Sequence, residues 1–338
     1  MLAEISQFFE VESSEAGLRL DRVVTTRFPK LSRTRVQELI EMSLILLDGK
    51  PAKGAQKLRL GQRIEVQAPE RPPILAEAES IPLTVLFEDD DLLVIDKPAG
   101  MIVHAGAGVA RGTLVNALLG RGQALSQGGD ALRPGIVHRL DKETSGVILV
   151  AKNDHAHAKL GEAFRARTMK KTYIALLHGL LAGEHGRIDL PVARDPIKRT
   201  RMTTQRKTWH GEVLSNPREA RTDWRVLARI DSTTLVEVQL HTGRTHQIRV
   251  HFSALKHPVV GDTLYGAPAQ LRIGHELLPA LDRNFLHAAR LGFAQPRTGQ
   301  WIEVRAPLPA SLRAFLTSAV VAAKTDPVRI DAALSAYL

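Results

Sequence analysis

Residues 67–80 (QAPERPPILAEAES) carry three prolines and no apolar period, so neither a helix nor a strand can run through them. They read as a linker, residues 69–80 at its narrowest, and whatever the chain folds into must fold on either side of it. On the N-terminal side Leu18, Leu20, Val23, Val24 and Phe28 recur at helical spacing until Pro29 stops them. Ser32 stands where it would cap a second helix through Val36, Leu39 and Ile40. Residues 44–47 then read as a strand closed by the turn Asp48-Gly49, and residues 63–66 as another after the turn at Gly61. Two short helices on a few strands make a first domain over residues 1–68.

Beyond the linker short strands dominate. Residues 83–87 and 92–95 flank an acidic turn, Glu88 to Asp91, as a hairpin would. The run GVILV at 146–150 and the alternation TLVEVQL at 234–240 add further strands, and helical spacing returns at 154–167 and 312–321. Strands in unequal runs, with few regular βα repeats, predict an α+β domain on a mixed, mainly antiparallel sheet over residues 81–322. Residues 323–338 read as a peripheral C-terminal tail.

Cysteine is absent, which excludes disulfides and thiolate metal sites. No run approaches the roughly 20 apolar residues of a membrane helix, and the start MLAEISQFFEVESSE has acids where a signal peptide needs a basic cluster. A cytoplasmic monomer without membrane association is expected.

Charge points to a partner. Lys and Arg number 46 against 36 acids, a net +10, and such a balance favours a polyanion through counterion release. The first domain concentrates it: between Gly17 and Gln67 eleven bases face five acids, +6 of the total. Arg33 and Arg35 open the second helix, where free N–H groups also favour phosphate. A solvated face would explain the same charges, but the string SRTRVQELIEMSLILLDGKPAKGAQKLRLGQRIEV resembles the S4 RNA-binding module.

The segment GIVHRLDKETSGVILV, residues 135–150, gathers His138, Arg139, Asp141, Lys142 and Glu143 in a loop ahead of an apolar strand. It is followed by KKTY ending at Tyr173 and by LHTGRTHQIRVHFSALKHPVVGDTLYG at 240–266, and preceded by LLVIDKPAGMIVHAGAG at 92–108. LHAARLGF and APLP, around His287 and Pro307, close the series. In this order the strings resemble the RluA-type pseudouridine synthases over nearly the whole chain. Ala105 and Gln295 depart from the pattern, where Pro and His would be expected.

The resemblance implies an isomerase that breaks the glycosidic C–N bond of uridine in RNA, turns the uracil and rejoins it through carbon, with no metal and no nucleotide cofactor. Asp141 would be the catalytic carboxylate, attacking sugar or base. An enclosed carboxylate needs a cation beside it, which is Arg249 of HQIR or, failing that, Arg244. Tyr173 would stack on the base and take part in proton transfer, or else be a core residue of its strand. Arg139 would fill the stack that a flipped base leaves, or else pair with Glu143. His138 and a basic stretch at 194–207, including Lys198, Arg199 and Arg201, would lie along the RNA, as would Arg244.

Other readings fail on spacing. Gly106, Gly108 and Gly112 lack the interval and the βαβ context of a dinucleotide loop. His155 with His157, and His246 with His251, lack the spacing and third ligand of a metal site. Within the family the combination of strings leans toward the RluD type, whose target is the helix-69 stem-loop of 23S rRNA in the ribosomal large subunit. An RluC-type 23S rRNA enzyme, a tRNA enzyme, and a non-catalytic RNA-binding assembly factor are the alternatives.

Overall fold

The computed structural model of the protein describes residues 5–28, 31, 33–68, 77–105, 109–122, 124–126, 133–205 and 217–337. The chain forms two compact units that meet in sequence at 74/75. The smaller contains strand β1 (Ile5–Glu10), helices α1 (Leu20–Arg27) and α2 (Arg33–Glu41), and strands β2 (Ile45–Leu47), β3 (Lys50–Pro51) and β4 (Arg63–Ala68). Its sheet is antiparallel in the order β1-β4-β2-β3. Asp48 and Gly49 both take positive φ, 50° and 72°, which is the tight hairpin that an Asp-Gly pair favours. Leu20, Val23 and Val24 of α1 pack with Val36, Leu39 and Ile40 of α2 onto Ile45, Ile64 and Val66. Strand β1 is an addition to the elements that periodicity gives, and the expected cap Ser32 and stop Pro29 lie outside the described residues.

The larger unit begins with the expected hairpin, β5 (Thr84–Glu88) and β6 (Leu92–Lys97), and continues with α3 (Leu114–Gly120), β7 (Ser145–Ala151), α4 (Asp154–Ala166) and β8 (Lys170–His178). Next come β9 (His185–Ile188), the small ribbon β10 (Ala193–Arg194) and β11 (Met202–Thr203), β12 (Thr222–Ile230), β13 (Thr233–Leu240) and α5 (Gln247–Ala254). A second ribbon, β14 (Arg272–Ile273) and β15 (Glu276–Leu277), precedes β16 (Leu286–Ala294), β17 (Trp301–Arg305), α6 (Ala310–Ala322) and α7 (Pro327–Leu334). Nine strands form one sheet in the order β5-β6-β7-β16-β8-β13-β12-β9, with β17 also on β16. Every pairing is antiparallel except β7 with β16.

The sheet is covered on both faces. Ile95, Ile148 and Val150 pack toward α3, α6 and α7, while Val94, Val147 and Leu149 pack toward Ala156 and Leu160 of α4. All seven residues of β7 are therefore buried, which is why GVILV reads as an unbroken apolar run. Gly146 has φ +111° where β7 meets β16, and a Cβ there would stand 2.2 Å from the Ala288 carbonyl oxygen. Only glycine admits that approach.

The acidic turn is structural. Asp89 accepts from the Asp91 and Leu92 N–H groups at 2.8 Å each, and the buried Asp91 takes both Arg297 Nη2 and Nε, at 2.7 and 3.0 Å. Gln295 also donates to Asp91 at 2.9 Å, so this departure from the family pattern has a job in local packing. The C-terminal residues correct the expectation of a peripheral tail. Ile330, Leu334 and Tyr337 are buried in the main core, and the Tyr337 hydroxyl donates to Glu237. No helix among the described residues is long and apolar enough to cross a membrane.

Candidate active site

Asp141 lies in the loop that runs into β7, and that loop is fastened before the carboxylate is reached. The Thr144 N–H donates to the Asp141 carbonyl at 3.1 Å, closing a turn. The Lys142 carbonyl accepts from Gly100 N–H at 2.9 Å and from Lys97 Nζ at 3.1 Å. Lys97 is wholly buried and gives its other two protons to the Pro98 and Met101 carbonyls, at 2.7 and 2.8 Å. Burial, with Arg283 nearby, brings this ammonium down to about 7. At the far end Ser145 Oγ accepts from Arg283 and faces His287 Nδ1, both at 2.9 Å. The His287 Nε2–H donates to the Ala306 carbonyl, so its Nδ1 accepts from Ser145.

Arg249 comes from α5. Its Nη1 donates to Asp141 Oδ2 at 3.2 Å, while Nε and Nη2 grip both oxygens of Asp262 at 2.6 and 2.8 Å. Its guanidinium carbon stands 5.0 Å from the centre of the Tyr265 ring. His246 precedes α5 in the left-handed region (φ 55°), which turns its ring toward the carboxylate: Nε2 is 3.9 Å from Asp141 Oδ2. The Tyr265 hydroxyl accepts from the Met202 N–H at 2.8 Å and meets His246 Nδ1 at 2.9 Å. With Tyr265 donating to Nδ1, the imidazole carries its proton on Nε2, facing Asp141. Burial, aided by Arg249 and Arg139, lowers the His246 pKa against the pull of Asp141 and Asp262.

Tyr173 stands on β8 with its ring buried. Desolvation first, and Asp141 second, hold its phenol above the ordinary value, so it is protonated at neutral pH. No protein group among the described residues hydrogen-bonds its hydroxyl. Asp141, Tyr173 and Arg249 line one recess, whose walls include Leu140, Leu240, Ile248 and Leu286. Aliphatic and aromatic walls around one carboxylate suit a flat heterocycle, held by its faces with a charged oxygen beside its edge.

The remaining candidates divide. Arg139 is exposed at the mouth of this recess and pairs with nothing among the described residues, Glu143 included. Arg244 does not reach Asp141: its Nε donates to the Glu219 carbonyl at 3.1 Å. Of the two arginines it is Arg249 that meets the carboxylate. His138, expected along RNA, gives one ring nitrogen to the backbone and lines the neighbouring basic recess. Its Nε2 accepts from the Leu149 N–H at 2.9 Å and its ring stacks on Phe164, and burial first, with Lys171 nearby, holds it at about 3, neutral. In the loop between β10 and β11, Arg201 is tied to Asp195 at 2.7 Å, whereas Lys198 and Arg199 are exposed. Residues 206–216 and the side chains of Arg33 and Arg35 lie outside the described residues. His251 commits both ring nitrogens, to Thr222 and to the Leu190 carbonyl, at 2.9 Å each.

Asp262, His246 and Tyr265 join the site without having been expected there, although all three lie in the string 240–266. His246 in that string suggests at most half of a metal pair. Asp262 in GDTLYG looks like any turn acid until the fold sets it under Arg249.

The model of the RNA pseudouridylate synthase family matches residues 91–254, which include Asp141, Tyr173 and Arg249. The chain is 42% identical to an uncharacterized RNA pseudouridine synthase of Aquifex aeolicus, covering 87% of this chain and 90% of that one. It is 42% identical to the ribosomal large subunit pseudouridine synthase D of Nitrosomonas europaea, over 90% of this chain and 86% of that one. Among solved structures it resembles human RNA pseudouridylate synthase domain containing 4, with TM-score 0.55 and 26% identity over 71% of this chain and 93% of the other.

Proposed function

The chain belongs to the RNA pseudouridylate synthase family and is an RNA isomerase; from that premise we propose that it acts on large-subunit ribosomal RNA, with Asp141, Tyr173 and Arg249 carrying the reaction. The large-subunit target follows from the Nitrosomonas relative and from a Xanthomonas campestris protein of the same name, 42% identical over 91% of this chain. The helix-69 stem-loop of 23S rRNA is the first RNA to try. The N-terminal unit, on the resemblance of its sequence to the S4 module and its surplus of basic residues, is proposed to contribute affinity for the RNA backbone.

One observation carries the assignment of Asp141: its carboxylate stands 3.2 Å from a buried arginine, in a recess walled by apolar side chains and Tyr173. In the reaction the C1′–N1 bond breaks, the uracil turns, C1′ bonds to C5, the C5 proton leaves and N1 gains a proton. No atom enters or leaves overall, so the site must hold the loose base and move one proton. Asp141 supplies the negative charge, as nucleophile at the sugar or as base. Arg249 holds its rotamer, and Asp262 holds Arg249. Tyr173, protonated, offers a stacking face and a hydroxyl that can donate. Arg139, free at the mouth, is suited to stack where the flipped uridine left, offsetting a cost of a few kcal/mol.

Because the C5 hydrogen is lost, RNA carrying 5-tritiated uridine releases tritium as the reaction proceeds. Asp141→Asn removes the charge with little change of shape. It should lower tritium release at least about a thousandfold, with RNA affinity within about twofold of wild type. Activity within tenfold of wild type would remove Asp141 from the central role.

A further inference from the structure

Next to the base recess lies a second, larger one, with α4 as its far wall and with Arg139, Tyr173 and Arg244 shared between the two. Five of its lining residues are Arg or Lys, and none is Asp or Glu. Lys171 is one of them. Its stem is half-buried, its ammonium is 5.9 Å from the Phe164 ring, and it stands 3.8 Å from where a Cβ on Gly243 would be. It has no hydrogen bond or ion pair among the described residues. Two further cations bear on it. Arg167 ends α4 in the left-handed conformation and, among the described residues, has only the exposed Glu219 as counter-ion, at 3.9 Å. Arg244 is turned into the recess by its bond to the Glu219 carbonyl. Burial, then Arg167 and Arg244, bring the Lys171 ammonium down to about 8. Three cations around one recess with a single solvated acid is an arrangement that an anion completes.

The strand fixes which anion. Lys171 and Tyr173 are two residues apart on β8, so they rise from the same face about 7 Å apart. A nucleotide whose base lies against Tyr173 brings its own backbone within reach of that ammonium. We propose that Lys171, Arg167 and Arg244 seat one phosphodiester of the substrate strand, beside the nucleotide whose uracil enters the Asp141 recess. The proposal rests on the reading of that recess as the uracil site.

Lys171→Met keeps the apolar stem over Phe164 and removes the charge. On a ribosomal stem-loop RNA its KM should rise about tenfold, with kcat at saturating RNA within about threefold of wild type. The slope of log KM against log salt should flatten by about one unit, and Lys171→Arg should restore both. RNAs neutralised at one linkage at a time with methylphosphonate locate the contact. One linkage should cost wild type about tenfold in affinity and cost Lys171→Met nothing. An unchanged KM, a loss confined to kcat, or equal losses at every linkage in both proteins would overturn the phosphate seat. The underlying reading fails differently: Asp141→Asn would then release tritium within tenfold of wild type. Thermal unfolding of Lys171→Met at or above the wild-type midpoint shows that the variant is folded.

Discussion

Arg249 divides its hydrogen bonds unevenly, two to Asp262 and one to Asp141, and this bears on what can replace it. The sequence asks only for a positive charge near Asp141, which a lysine would also supply. A lysine ammonium cannot span two carboxylates in the fixed planar geometry of the fork. Arg249→Lys should therefore remain at least about a hundredfold below wild type in kcat, close to Arg249→Ala. Asp262→Asn, which never touches the substrate, should lose about tenfold or more, through kcat and not KM. Single-turnover tritium release for the three variants checks this, and an Arg249→Lys enzyme near wild type would show that charge alone is enough. The pairing of Asp141 with Arg249 is legible because each lies in a specific string, and the fold brings the two to 3.2 Å. His138 sits in the same string as Asp141, yet one of its ring nitrogens is given to the Leu149 N–H, a partner that no string spells out.

Legibility at the scale of elements depends on how each one is buried. Strand β7 is buried on both faces and announces itself as an apolar run. Helix α5 is not legible as a helix, because Gln247 through Phe252 are all buried and leave no polar face to set a period. Its side chains nevertheless form the floor of the site. Helix α7 has a readable start, Asp326 accepting from the Val328 N–H at 3.0 Å with Pro327 in the first turn. Its position at the chain end makes it look dispensable. Burial of Ile330, Leu334 and Tyr337 contributes about 1.5–3 kcal/mol for each side chain. Deleting residues 327–338 should lower the thermal midpoint by roughly ten degrees or more. Differential scanning calorimetry decides it, and an unchanged midpoint would return this segment to the periphery.

For the whole molecule, the linker at 69–80 and the division of charge along the sequence already imply two units, and the units divide at 74/75. The bases of the N-terminal unit are not all free for RNA. Arg27 pairs with Glu12 and Glu15, Arg19 with Asp21, and Arg63 with Glu65. If three or four of the others meet phosphate, removing residues 1–70 should reduce the slope of log K against log salt by about 2–4 units. Turnover should persist at saturating RNA, since Asp141, Tyr173 and Arg249 all lie in the other unit. Binding and tritium release at several salt concentrations measure both, and an unchanged slope would leave this charge as a solvated surface. The parallel junction of β7 and β16 has a temporal meaning as well. Ser145 bonds to His287, 142 residues further along, and Gly146 beds against Ala288. As the chain leaves the ribosome, the loop bearing Asp141 emerges with its ties to Lys97 and Gly100 already in reach, while its Ser145 end stays unfastened until β16 has followed it. Such distant closure is slow to form, and a nascent chain that ends before β16 lacks one of the ties that hold the Asp141 loop.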